Sequence, residues 1–151
     1  MAQVEGSGSV GPSLADIKKE VMRRANARIS PFGAIKAEDP QAVVDAPTSL
    51  EHDHWAELWS RLGQRYESRG DELAAAKSDA QAIEEAYSLA FDYFRIGRYP
   101  VATSPGKQRA YRDSLRVFHK AAHYFDPPLE VVQIPFDDKK LIGYLQIPKG
   151  I

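Results

Sequence analysis

His119 and His123 stand four residues apart in a stretch of helical character, a spacing that sets two imidazoles on one helix face where they could share a metal ion. The residue after His119 is Lys120, not the glutamate a zinc-peptidase helix requires, and no carboxylate joins the pair locally. Packing or a solvated face is the preferred reading. Glu51-His52-Asp53-His54 also has metal-ligating residue types. Neighbouring side chains on a helix diverge by about 100°, so they cannot converge on one ion and read as helix-start acids with incidental histidines. Arg95, Arg98 and Tyr99 cluster at the end of a predicted helix and are the candidates for lining a substrate pocket. A solvated helix end, which needs no ligand, is the preferred account of them.

Other chemistry is missing. No G-x-S-x-G elbow or other nucleophile setting occurs, so no catalytic residue is assigned. The absence of cysteine excludes disulfides and thiolate metal sites, and no metal or cofactor is assigned. Gly6-Ser7-Gly8-Ser9-Val10-Gly11 spells G-x-G-x-x-G, but only five residues and no strand precede it, so residues 1–12 read as a flexible tail. A net charge of −1 and no Lys/Arg run longer than two argue against a nucleic-acid partner. No apolar run approaches the roughly 18 residues of a membrane span, and the N-terminus lacks the basic and apolar regions of a secretory signal. A soluble, cytoplasmic protein with no membrane partner is expected.

The elements that would position these residues are mostly helices. Ser13, with Asp16 three residues on, opens a helix carrying Leu14, Ile17, Val21, Ala25 and Ile29 and ending near Ser30. Residues 34–47, with Pro40 and Pro47, read as a long connection. A second helix opens at Thr48 or Ser49 and carries the stripe Trp55, Leu58, Trp59, Leu62 and Tyr66. Asp79 caps a third, with Ile83, Ala86, Tyr87, Ala90 and Phe94 on one face. Ser104-Pro105 starts a fourth, whose predicted apolar face is Tyr111, Leu115, Phe118, Ala122 and Phe125. Glu130 to Phe136 and Leu141 to Ile147 then read as a β-hairpin joined by Asp137 to Lys140, with Pro135 near an edge or strand end. The fold class is α+β, a four-helix domain over residues 13–126 followed by a hairpin over 129–151. A lone hairpin is marginal in water, so the sheet reads as one cut off early, although a self-contained α+β domain remains open.

Two resemblances compete for the helices. Trp59, Leu62, Gly63 and Tyr66, with Ala75 and Ala82, resemble the tetratricopeptide repeat of protein-interaction modules. That match fails where Asp79 and Tyr87 replace the consensus phenylalanine and proline. The second is broader. Phe94-Arg95-Ile96-Gly97-Arg98-Tyr99-Pro100, Ser104-Pro105-Gly106-Lys107, Ala110-Tyr111, the run Pro127 to Phe136, Gly143-Tyr144-Leu145 and Ile147-Pro148-Lys149-Gly150 resemble the N-terminal part of one α/β-hydrolase branch. The branch includes 2,6-dihydropseudooxynicotine hydrolase, the fungal polyketide-shortening hydrolases and relatives of the fermentation-respiration switch protein. The resemblance implies an α/β-hydrolase parent fold, in which the helices cap the active site and the hairpin supplies the first two strands. It also implies a serine hydrolase acting on an ester or a ketone-adjacent C–C bond of a small molecule. The partners implied are the remainder of the hydrolase domain and a second copy in a homodimer. The oxyanion loop and triad have no counterpart here, so no catalytic residue carries over.

Overall fold

Side-chain caps set where several helices begin. In the computed structural model, which describes residues 11–46, 49, 51–148 and 150, five helices precede an antiparallel hairpin. They are α1 (Leu14–Asn26), α2 (Asp39–Asp45), α3 (His52–Ala75), α4 (Ala80–Gly97) and α5 (Pro105–Ala122), followed by β1 (Leu129–Phe136) and β2 (Lys139–Gln146). Ser13 Oγ accepts from the Asp16 N–H at 3.2 Å while Asp16 Oδ2 accepts from the Ser13 N–H at 3.1 Å, the reciprocal box the sequence announces. Asp79 accepts from Ala82 N–H, and Ser104 from Lys107 N–H with Pro105 in the first turn. Residues 1–10 of the predicted tail, and Thr48, lie outside the described residues.

Several expected boundaries move. α1 stops at Asn26, short of Ser30, because Arg28 turns to a φ of 54° and its guanidinium donates to the carbonyls of Gly33 and Ile35. α3 begins at His52, with Glu51 as its flanking residue and no side-chain cap, later than Thr48 or Ser49. The segment read as an unbroken connection contains α2, so the described residues hold five helices instead of the expected four. The predicted face of α5 is also corrected. Tyr111 and Leu115 are exposed, and the buried stripe is Lys107, Ala110, Ser114, Val117 and Ala121. The reason is steric, since a helix that packs close to its neighbours turns its small residues inward and leaves its aromatics at the flank.

The tightest packing lies between α3 and α4. Ala56, Gly63 and Gly70 recur every seven residues on α3 and are all buried. A Cβ at Gly63 would lie 2.9 Å from the Phe94 ring, and one at Gly70 would lie 2.5 Å from the Tyr87 ring. Phe94 and Tyr87, themselves seven apart on α4, thus occupy the space the glycines vacate. Around this seam one apolar cluster joins α1, α2 and α3 to Tyr93 and Ile96 of α4, and a second joins Ile83, Tyr87, Ala90 and Phe94 to Val117 and Ala121 of α5. A polar clamp runs beside the second. Glu67 of α3, itself buried, accepts from Arg116 and from Lys120 Nζ (2.8 Å) of α5, and Lys120 also reaches Asp71 at 2.7 Å.

The hairpin register runs from Leu129↔Gln146 to Phe136↔Lys139. Lys139 and Lys140 pair with Phe136 and Pro135, so the turn is only Asp137-Asp138, with Asp137 at a φ of 50°. Tyr144 packs edge-on to Phe118 at 5.3 Å and its Oη lies 3.3 Å from His119 Nε2, while Gln146 Nε2 donates to the Pro127 carbonyl at 3.0 Å. The rest of the hairpin is largely bare.

Gly63→Ala gains up to about 1 kcal/mol of helix propensity but must displace the fully buried Phe94 ring, so a net loss of about 1–2 kcal/mol is expected in urea unfolding. Adding Phe94→Leu should cancel part of that loss. Burial pushes the Glu67 carboxyl up, but the hydrogen bonds from Arg116 and Lys120 outweigh it and hold it below its usual range. The same balance, with Lys120 and Tyr87 donating, lowers Asp71. Both depressed carboxylates stabilise the fold above ordinary unfolded values near ~4, and that contribution is lost as the pH falls through their lower folded values. Urea midpoints measured from about pH 7 to about pH 3 should therefore fall in acid, and Glu67→Gln should flatten the acid limb.

Candidate functional site

A cleft of about 420 Å³ lies among α1, α2, the start of α3, the turn after α4 and the first turn of α5. Its apolar wall is built from the stripe that the sequence assigns to α3. Trp55 and Trp59 meet at 5.6 Å between ring centroids, and Trp59 stacks on Tyr93 at 6.2 Å. The Trp55 indole N–H donates to the Ile96 carbonyl at 2.9 Å, fixing the ring against the end of α4. Trp59 is fully buried, and its indole N–H has no acceptor among the described residues.

The opposite wall depends on a buried carboxylate. Asp39, 4% exposed, opens α2 and accepts from Tyr93 Oη at 2.5 Å, Tyr66 Oη at 2.7 Å and Arg65 Nη2 at 2.7 Å. Burial, and then the hydrogen bond to this carboxylate, push both tyrosine hydroxyls above their usual range, Tyr93 the further, so they stay donors. Three donors from α3 and α4 thereby hold α2 in place, and its Val43 and Val44 close the cleft. The seven-residue helix is too short to form without such tertiary support.

Lys107 enters from α5. It is 4% exposed, and burial pulls its ammonium below the usual value against an opposing pull from nearby Asp53. Asp53 is otherwise engaged. The Ser104 hydroxyl and the Gly106 N–H, which reaches Oδ1 at 2.8 Å, hold its carboxyl below the usual range and tie the start of α5 to α3. A Cβ at Gly106 would lie 2.7 Å from that oxygen. His52 and His54 border the cleft with Lys18.

The three residues proposed from sequence do not gather. Tyr99 borders the cleft, Arg98 lies over the Tyr111 ring at 5.5 Å, and Arg95 bonds Asp92 at 2.7 Å and lies over Phe91. His119 meets Tyr144, and His123 flanks the end of α5. Lys107 escaped the sequence reading as a site residue because a lysine in a first turn looks like solvated charge. Its helical phase with Ala110, Ser114, Val117 and Ala121 was the available signal. Among the described residues no group of three or more His, Asp or Glu could hold a metal ion, and no helix is long and apolar enough to cross a membrane.

No protein-family model matches the chain. It is similar to an α/β-hydrolase of Penicillium citrinum (gkaG), 33% identical over 118 residues and covering 77% of this chain and 27% of that one. An α/β-hydrolase of an Acremonium species (ucsC) is 27% identical over 131 residues, covering 79% and 26%, and a hydrolase of Phaeosphaeria nodorum (phmG) is 25% identical over 135 residues, covering 80% and 30%. The chain thus spans between a quarter and a third of the length of these curated relatives. The crystal structure of 2,6-dihydroxy-pseudo-oxynicotine hydrolase superposes with a TM-score of 0.66 at 20% identity, over 78% of this chain and 32% of that one, a likeness of fold. The resemblance read from the motifs is borne out: the chain is similar to this branch of the α/β-hydrolases, as an α+β assembly of helices and a hairpin.

Tyr93→Phe removes one charge-assisted hydrogen bond from the α2 anchor, so a loss of about 1.5–3 kcal/mol in urea unfolding is expected. Loosening of α2 should appear as faster amide exchange at Val43 and Val44. Unchanged exchange there would mean that packing alone holds α2.

Proposed function

We propose that this chain is the helical cap and first two strands of a serine α/β-hydrolase that cleaves an ester or a ketone-adjacent C–C bond in a small molecule. The observation that carries the proposal is the bare hairpin. Val131, Ile142 and Tyr144 share one face, Ile134, Phe136, Leu141 and Leu145 the other, and all of them are between 42% and 59% exposed. Strands apolar on both faces suit the interior of an α/β sheet, covered by helices on each side, and not a hairpin at a solvent surface. The exposed Tyr111 and Leu115 of α5 extend this apolar surface through Phe118 to Tyr144. A body seated there would cover both, and the share of the relatives that the chain spans leaves room for one.

In this reading the remaining hydrolase domain supplies the chemistry. A histidine takes the proton of a serine hydroxyl as it attacks the substrate carbonyl, and backbone N–H groups hold the resulting oxyanion. The helices enclose the substrate and exclude water. Pairing of two copies through the helices and a cytosolic setting belong to the same proposal.

The test is the intact mass of the protein from its native source, before and after a fluorophosphonate that labels activated serines. The expected result is one label on a species well above 16.8 kDa, or on a co-purifying second chain, with the β2 amides protected from exchange. A lone, unlabelled 16.8 kDa monomer would overturn the proposal and favour a helical interaction module.

A further inference from the structure

The geometry points to the cleft among α1, α2, α3 and α5 as a binding site of this chain's own for a small aromatic acid. Its ring would sit between the indoles and Tyr99, and its carboxylate would accept from Lys107 Nζ and the Trp59 indole N–H. The inference does not depend on a hydrolase domain, because every residue it uses is in this chain.

Three observations carry it. The volume of about 420 Å³ lies within the range of small-molecule sites, roughly 300–1,000 Å³, and the walls are largely apolar and aromatic. The charge is one-sided: Lys18 and Lys107 border the cleft, and no carboxylate does among its described lining residues. Lys107 is 4% exposed, so most of its side chain lies out of water, a cost that an anionic partner would offset. Independently, the fully buried Trp59 N–H lacks an acceptor among the described residues, whereas its neighbour Trp55 has the Ile96 carbonyl. An orphaned buried donor and a buried lysine that line one cleft walled by rings fit a planar molecule that carries an oxyanion.

Asp53 is the competing counter-charge, but its carboxylate already accepts from Gly106 N–H, and it borders a different, polar cleft with Glu57, Arg61 and Arg109. The hairpin offers apolar surface without a buried cation, so a neutral aromatic and an aromatic acid should distinguish the two places.

The experiment titrates the full chain with 2-naphthoate and with the neutral 2-naphthylmethanol, followed by calorimetry and by the two indole N–H resonances, assigned with Trp59→Phe. The expected result is 1:1 binding of naphthoate at least about tenfold tighter than the alcohol, with the Trp59 resonance moving much more than that of Trp55. Lys107→Met, which keeps the aliphatic stem, should bring naphthoate down to the alcohol's affinity and leave the alcohol unchanged. Equal affinity for acid and alcohol, a static Trp59 resonance, or shifts confined to hairpin amides would each overturn the inference. If Lys107→Met fails to fold, the acid-to-alcohol ratio and the Trp59 resonance of the unaltered chain decide the matter alone.

Discussion

Two helices can approach closely only where one of them gives up side-chain volume, and here α3 does so at a fixed interval. Ala56, Gly63 and Gly70 lie on one line of α3, and the rings of Phe94 and Tyr87 fill the gaps from α4. A seven-residue repeat of small positions suits two helices that stay in contact along their length. Because those rings are committed to the seam, the remaining faces of α4 are set. Tyr93 and Ile96 turn toward α1 and α2, while Ile83, Ala90 and Phe94 also meet α5. α4 is therefore buried on several sides, which is why its sequence holds few charges and why its aspartate and arginine, Asp92 and Arg95, pair with each other.

From that fixed helix the cleft follows. Tyr93 is held by stacking on Trp59 and Tyr66, so its hydroxyl is a rigid donor, and the Asp39 carboxylate finds it together with Tyr66 and Arg65. A short helix with little stability of its own becomes a wall because one carboxylate is satisfied three times. On the other side, Asp53 fastens the first turn of α5 to α3, and Lys107 lines the same cleft as the indoles. The enclosed space is a consequence of anchors at its edges, and its charge comes from a lysine that the register of α5 forces into the interior.

The hairpin is held differently. It touches the helices mainly through Tyr144 against Phe118 and His119 and through Gln146 at the Pro127 carbonyl. Two strands with apolar side chains on both faces carry more hydrophobic surface than these contacts cover. The outward stripe of α5 adjoins the same surface, so the helical part and the hairpin together present one apolar side. Strands of this kind are covered by helices on both faces in α/β sheets generally.

Much of this was legible in the residues. Caps at Ser13, Asp79 and Ser104, the indole stripe of α3 and the paired β-branched runs are local signals, because each depends on neighbours within a few residues and on the backbone's own hydrogen-bonding needs. The order of motifs also carried the likeness to the hydrolase branch. Other features had no local signature. α2 is stabilised by partners 26, 27 and 54 residues away, so no window of sequence around Asp39 could reveal it. The inward face of α5 was misread because hydrophobicity favours Tyr111 and Leu115, whereas close packing favours Ala110, Ser114 and Val117. Arg95, Arg98 and Tyr99 have the i, i+3, i+4 spacing of one helix face, but α4 ends at Gly97, so Arg98 and Tyr99 leave the helix and take different partners from Arg95. The sequence by itself determined which segments are helix or strand and where they start, because those are short-range choices of the backbone. Tertiary structure alone decided which faces meet, that Lys107 is buried and that Trp59 lacks an acceptor, because these depend on volume and charge brought together from distant parts of the chain.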